Sequence, residues 1–300
     1  MKVNLRFGAL AIVLAASSSV GASTVTMLDT SLAALNGAFG SGTATTSSSA
    51  AGTVTMVVGP SGSTNRASAN YVADTWVQRN VGGNGTVGIT NDYARSGNGS
   101  ALFSGSGAAG AYKSDLEILF GTAIAASNIT GMGFDWRRDS STTVSSANLH
   151  PVLRLMVTGT YSGGAVQGYL VFERDYNGSG AAPLNTWVTE SFTNTAGKIW
   201  GTGTLPGAFS DYTRDLDDWD ALVSNLTVRG LSIGIGSGWN GGDFRGAIDN
   251  VTLNTGSNST TWNFEVQNAA AAVPEPSTLA LVGLAMLGLA INRRRGCNTA

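Results

Sequence analysis

Gly131-Met132-Gly133-Phe134-Asp135-Trp136-Arg137-Arg138 sets Met, Phe and Trp at every second position, with glycine or charge between them. A two-residue repeat is that of a β-strand with one face in a core and the other turned away from it. The same kind of segment recurs outward in both directions. Residues 53–58, 71–78, 86–90, 100–103 and 112–120 precede it, and 152–158, 168–174, 187–192, 231–235, 244–253 and 260–266 follow. Gly59-Pro60-Ser61-Gly62 and Ser96-Gly97-Asn98-Gly99 are turn chemistry between such segments. The spacing predicts ten to fourteen short strands, hence antiparallel sheets packed face to face. The fold class is all-β, an antiparallel sandwich of jelly-roll type. Trp76, Trp136 and Trp187 lie in strand patterns and are expected in its core.

One segment departs from the pattern. Within residues 211–225, Leu216, Trp219, Leu222 and Val223 fall at helical spacing, with Asp217 and Asp218 in the first turn. A single short helix is expected there.

Composition narrows the function classes. Charged residues make up 12% of the 300-residue chain and the net charge is −2, so no basic surface is available for nucleic acid. The 41 glycines, with abundant Ser, Thr and Asn, suit turns rather than helices. The one cysteine, Cys297, lies near the C-terminus, so the body has no disulfide, cysteine nucleophile or thiolate metal site.

Catalytic motifs are present only as patterns. Gly230-Leu231-Ser232-Ile233-Gly234 fits G-x-S-x-G, but that chemistry needs a sharp strand-to-helix turn and the match lies inside a strand. Three G-x-G-x-x-G matches, from Gly83, Gly105 and Gly236, have no helix behind them to hold a phosphate. His150 is the only histidine, too few for the usual catalytic zinc site. The acidic group Asp211, Asp215, Asp217, Asp218 and Asp220 reads as a solvated helix start. A glycosidase would need two carboxylates facing one cleft, such as Asp135 and Glu173. No constellation of acid, base and nucleophile stands out, and a non-enzyme is expected.

Two kinds of ligand site are candidates instead, each beside a plainer reading: a polar hairpin turn for one, and a Trp folded under its loop for the other. Asp175-Tyr176-Asn177-Gly178-Ser179-Gly180 opens like a calcium loop, with oxygen ligands at alternate positions and glycine at the sixth. It lacks the closing glutamate, because the twelfth position is Thr186. Asp175 and Asn177 are therefore candidate metal ligands, with Asp249 on a late strand as another, for a structural calcium; no other cofactor is expected. Trp239-Asn240, in a glycine-rich loop, could stack on and hydrogen-bond to a sugar.

The two ends carry addresses. Residues 1–22 have a positive start at Lys2 and Arg6, an apolar middle from 7 to 16, and small residues at Val20-Gly21-Ala22, as in a secretory signal peptide. Residues 23–65 are a biased segment with early strands, and 66–267 form the ectodomain. At the other end Val273-Pro274-Glu275-Pro276-Ser277 closes a linker over 268–277. An apolar membrane helix over 278–292 follows, then Arg293-Arg294-Arg295 in a basic tail over 293–300. The prolines keep the motif extended, and the arginines hold the tail on the cytoplasmic side.

This ordered set resembles the PEP-CTERM sorting signal of exported bacterial proteins, recognised by the intramembrane enzyme exosortase. The resemblance implies passage through the inner membrane, processing near the motif, and residence at the cell surface or in an exopolysaccharide matrix. The membrane, exosortase and exopolysaccharide are the implied partners, and nucleic acid is not. Ala94-Arg95-Ser96-Gly97-Asn98-Gly99-Ser100, Gly236-Ser237-Gly238-Trp239-Asn240-Gly241 and Ala247-Ile248-Asp249-Asn250-Val251-Thr252 also resemble ectodomains of this class. The last is similar to the closing strand of jelly-roll carbohydrate-binding modules, which implies a carbohydrate-binding module as the alternative to a presenting surface protein.

Overall fold

The computed structural model describes residues 73–109, 112–239, 241–256 and 258–266, with the backbone of four strands before residue 65. The signal peptide (1–22), Asn240, the linker and sorting motif (268–277), the apolar helix (278–292) and Arg293–Arg295 lie outside the described residues. Among the described residues no helix is long and apolar enough to cross a membrane.

The strands in chain order are β1 (Ser23–Thr26), β2 (Ala44–Ser49), β3 (Gly52–Gly59), β4 (Gly62–Thr64), β5 (Trp76–Gly82), β6 (Thr86–Thr90), β7 (Ser100–Gly105) and β8 (Lys113–Ala125). They continue with β9 (Ile129–Arg138), β10 (Val152–Tyr161), β11 (Gly164–Phe172), β12 (Trp187–Thr193), β13 (Ile199–Gly201), β14 (Ser224–Gly236), β15 (Phe244–Thr255) and β16 (Asn258–Val266). One helix, α1 (Leu216–Leu222), precedes β14.

These strands form two sheets. The six-stranded sheet runs β13-β11-β10-β14-β8-β5, every pair antiparallel. The ten-stranded sheet is centred on β15, which pairs with β9 along one edge. Its other edge is shared: residues 244–248 pair with β7, and residues 251–255 pair with β16. β16 lies parallel to β3, the one parallel pair among the named strands. The early strands thus extend this sheet, β1–β3 through β16 and β4 through β6.

The two inner faces supply the core. Phe103, Phe134, Trp136, Phe244 and Phe264 come from the larger sheet, and Leu116, Ile118, Leu153, Leu155, Leu231 and Ile233 from the smaller. This is the alternation legible in 131–138: Met132, Phe134 and Trp136 are buried in the core, while Asp135 and Arg137 point away.

The helix is shorter than the periodicity suggests. Asp215 caps it in a reciprocal box with Asp218, at 3.0 and 3.1 Å. Before the cap, the Asp211 carboxylate takes Thr213 and Arg214 into a tight turn. After it, Val223 is already extended, and Leu226 and Val228 alternate into the core as part of β14. Trp219 is fully buried, and its indole N–H donates to Ile199 O at 2.9 Å. Trp187 differs from expectation. Val188 and Phe192 are the residues of β12 that pack on the core, so period two puts Trp187 on the outward side, half-buried.

Candidate functional site

Among the described residues, the outward face of the six-stranded sheet carries a connected network of buried charges. In β8, β10, β11 and β14 the core takes Leu116, Ile118, Leu153, Leu155, Leu170, Phe172, Leu231 and Ile233. Their alternates therefore share the opposite face. Register sets them in lateral rows. One runs Trp200–Val171–Arg154–Ser232–Glu117–Val77 across all six strands. The next runs Tyr169–Met156–Gly230–Leu119.

A set of buried charges lies along these rows. Arg154 donates to Asp115 Oδ1 at 2.8 Å, to Ser232 Oγ at 3.2 Å and to Gly236 O at 3.2 Å. Lys113 Nζ lies 3.2 Å from Asp115 Oδ2. Asn80 Nδ2 donates to both Asp115 Oδ2, at 2.9 Å, and Glu117 Oε1, at 3.1 Å. The Tyr169 hydroxyl donates to Glu117 Oε1 at 2.9 Å, and burial together with that carboxylate pushes the phenol up to about 12. Asp115 and Glu117 have no exposed surface. What they present toward the surface is the groups they hold: Asn80, Lys113, Arg154 and Tyr169.

Central strand β14 gives this face its relief. Gly230, Ser232 and Gly234 are its outward residues, while Leu231, Ile233 and Ile235 point into the core. A Cβ at Gly234 would sit 2.3 Å from Asp115 Oδ1, so the glycine admits the carboxylate. Beside the furrow opens a groove of about 620 Å³, lined by Leu119, Met156, Thr158, Gln167, Tyr169 and Thr202 among others. Arg229, exposed, also lines it.

The residues singled out in the sequence fall elsewhere. Trp239 is 8% exposed, packed edge-on against Phe244 and Tyr112, so it offers no open ring face. Asp175 and Asn177 share a 3-10 turn. Asn177 Oδ1 accepts the Lys198 N–H at 2.6 Å, and its amide donates to Glu173 O and Lys198 O, so it staples the turn to its neighbour. Asp249 lies fully buried where the edge of β15 passes from one partner to the other. Its carboxylate accepts from Phe264 N at 2.9 Å and Ser96 N at 3.1 Å, and burial pushes it up to about 7. Among the described residues no three His, Cys, Asp or Glu side chains converge as metal ligands.

The possible catalytic pairs are also separated. Asp135 faces outward from the ten-stranded sheet, held by Arg95, Asn250 and Thr189. Glu173 follows β11 of the other sheet. Ser232 is a buried acceptor for Arg154 in mid-strand. His150 is buried against Trp136, ring centroids 4.4 Å apart. Around α1, Asp211 serves the preceding turn and Asp215 and Asp218 the cap, while Asp217 accepts from Asn194 at 2.8 Å.

Comparison with known proteins identifies the tail. Residues 272–295 match the family model described as the PEP-CTERM protein-sorting motif. The chain is thus an exported protein with a C-terminal sorting signal of the kind exosortase processes at the membrane. No curated protein has a sequence that matches the chain. Among solved structures, a family 11 carbohydrate-binding module from Clostridium thermocellum, in complex with a beta-1,3-1,4-mixed-linked tetrasaccharide, is 14% identical with a TM-score of 0.35, over 63% of this chain and 97% of that one. A family 28 module described as specific for non-crystalline cellulose is 13% identical with a TM-score of 0.32, over 66% and 98%. The glycoside hydrolase domain of Endo-D from Streptococcus pneumoniae is 14% identical with a TM-score of 0.26, over 61% and 22%. These likenesses concern sheet architecture and say nothing of ligand or site.

Proposed function

We propose that the ectodomain is a non-catalytic polysaccharide-binding module, presented at the cell surface or in the exopolysaccharide matrix. The groove on the six-stranded sheet is its binding face, and one observation carries the reading. Two fully buried carboxylates, Asp115 and Glu117, hold Asn80, Lys113, Arg154 and Tyr169 in one network, and Tyr169 carries that network to the wall of an open groove. Buried ion pairs add little to stability over apolar residues of the same size. On an outward sheet face their use is to hold donors and a ring in place before a ligand arrives. The mixture of Tyr169, Met156 and Leu119 with Thr158, Gln167 and Thr202 suits pyranose rings, which have apolar C–H faces and hydroxyl rims.

Absence of turnover belongs to the same reading. Asp135 lies on the ten-stranded sheet and Glu173 follows a strand of the other, and the adjacent pair Asp115 and Glu117 is fully buried, out of reach of a scissile bond.

The test is affinity electrophoresis of the full chain in detergent through gels containing soluble polysaccharides. Retardation by at least one of them is expected, and Tyr169→Ala should weaken it about tenfold, the order of one lost ring contact and hydrogen bond. A wild-type chain that migrates freely through every gel would overturn the proposal.

A further inference from the structure

Four aromatic rings lie together beside the groove. Trp200 occupies the β13 end of the row that runs through Val171 and Arg154. Its ring centroid is 5.8 Å from Phe209 and 5.8 Å from Tyr212, with interplanar angles of 51° and 52°. Tyr212 stacks on Tyr176 at 4.1 Å and 22°. Phe209 is 62% exposed and Tyr176 38%.

Phe209 is held there against its own preference. Its φ is 61°, the left-handed region that a bulky side chain avoids. Its N–H donates to Gly201 O at 2.9 Å, and its carbonyl accepts from the Tyr212 hydroxyl at 3.0 Å. A strained backbone that presents a large ring to water contributes nothing to the core. Strain of this kind is retained where a function uses it.

We infer that the Trp200–Phe209–Tyr212 cluster is a second subsite of the same binding face, taking the pyranose rings of a neutral glycan that extends beyond the groove. The inference rests on the polysaccharide reading above and adds the location and the charge class. Continuity supports the location: the loop after β13 supplies Thr202, Gly203 and Thr204 to the groove and then Phe209 and Tyr212 to the cluster. Ring faces stack on sugar C–H faces, as apolar patches with polar edges do in ligand sites. The charge class follows from the rim. Glu173 and Asp175 belong to the same turn as Tyr176, and the cations around it, Arg174, Lys198 and Arg214, are already paired with Glu190, Asp215 and Asp211. Carboxylates at the rim disfavour uronate-rich chains and nucleic acid alike.

Calorimetric titration of the full chain in detergent tests this. The probes are the neutral hexaoses of cellulose, laminarin and amylose, with alginate as the anionic chain. Phe209→Gly relieves the backbone and should raise Tm by about 2–4 °C while weakening the bound hexaose about tenfold. Phe209→Leu keeps apolar bulk without a flat ring and should lose the same affinity. Unchanged hexaose affinity in both variants, with Tyr169→Ala impaired, would sink the second subsite and leave the groove standing. Tighter binding of alginate than of any neutral hexaose would overturn the charge class. A wild-type chain that binds no probe would overturn this subsite and the groove together.

Discussion

The single histidine gives the sharpest check on the packing between the sheets. His150 Nδ1 donates to Pro151 O at 2.6 Å, and Nε2 accepts the Arg174 N–H at 3.4 Å, so the neutral ring has both nitrogens engaged. A second proton on Nε2 would face a donor. Burial above all, then the positive Arg174 and Arg138, hold its pKa down from 6.5 to about 3. The folded ring therefore resists a proton that the unfolded chain accepts below 6.5. The stability this group contributes is present above pH 6.5 and is lost as pH falls through the window down to 3. At pH 4.5, two units below the unfolded value, the loss is about 2.7 kcal/mol, against about 0.2 kcal/mol at pH 7.

The assay is urea unfolding of wild type and His150→Phe at pH 7 and pH 4.5. The phenyl ring keeps the stack on Trp136 and leaves the Arg174 N–H unpaired, a cost that does not change with pH. Wild type should lose about 2.5 kcal/mol relative to the variant between the two pH values. Proton NMR gives an independent reading, because one imidazole resonance is expected from the chain. A midpoint near 6.5 in the folded protein, or parallel pH profiles for the two proteins, would refute the buried, doubly bonded ring.

Other perturbations have definite expected outcomes. Arg138 donates to the carbonyls of Ser146, Ala147, Leu149 and Val144, and Arg138→Met, which leaves them bare, should cost about 3 kcal/mol or more in urea unfolding. Asp215→Ala removes one half of the capping box and should cost about 1 kcal/mol by the same method. Gly234→Ala drives a methyl toward the Asp115 carboxylate, so Tm should fall by several degrees and glycan retardation should weaken with it. EDTA should leave Tm unchanged; a fall of several degrees would reassign Asp249 to a bound cation.

Much of the architecture was legible because alternation is a local property. Met132, Phe134 and Trp136 announce a strand and its inner face without reference to any partner. The site was harder to read, because it depends on which strands become neighbours. Arg154, Ser232 and Glu117 are far apart in the chain, and only register brings them into one row. Gly230-Leu231-Ser232-Ile233-Gly234 attracted notice as a hydrolase pattern, but its content lay in the alternation: small residues out, branched apolar residues in. Tyr169 passed as one more apolar strand position. β13 is three residues long, too short for periodicity to detect, and it carries Trp200. Trp187 was misplaced because composition alone cannot say which face of an alternating strand meets the core. The sorting tail was readable since its meaning resides in contiguous order, with no tertiary contact required.

β16 is the last strand before the chain departs toward the sorting tail. One of its edges is zipped to β15 and the other runs alongside β3. Its final residues are pinned as well: Phe264 by Asp249, and Glu265 and Val266 by Asn98. Tension along the axis of β16 would act across both ladders at once, perpendicular bonds to β15 and slanted ones to β3. Such bonds yield together in shear, whereas a strand peeled from its end gives them up one at a time. A pull on Val266 along the strand would therefore load the whole of β16 and not its last residue alone.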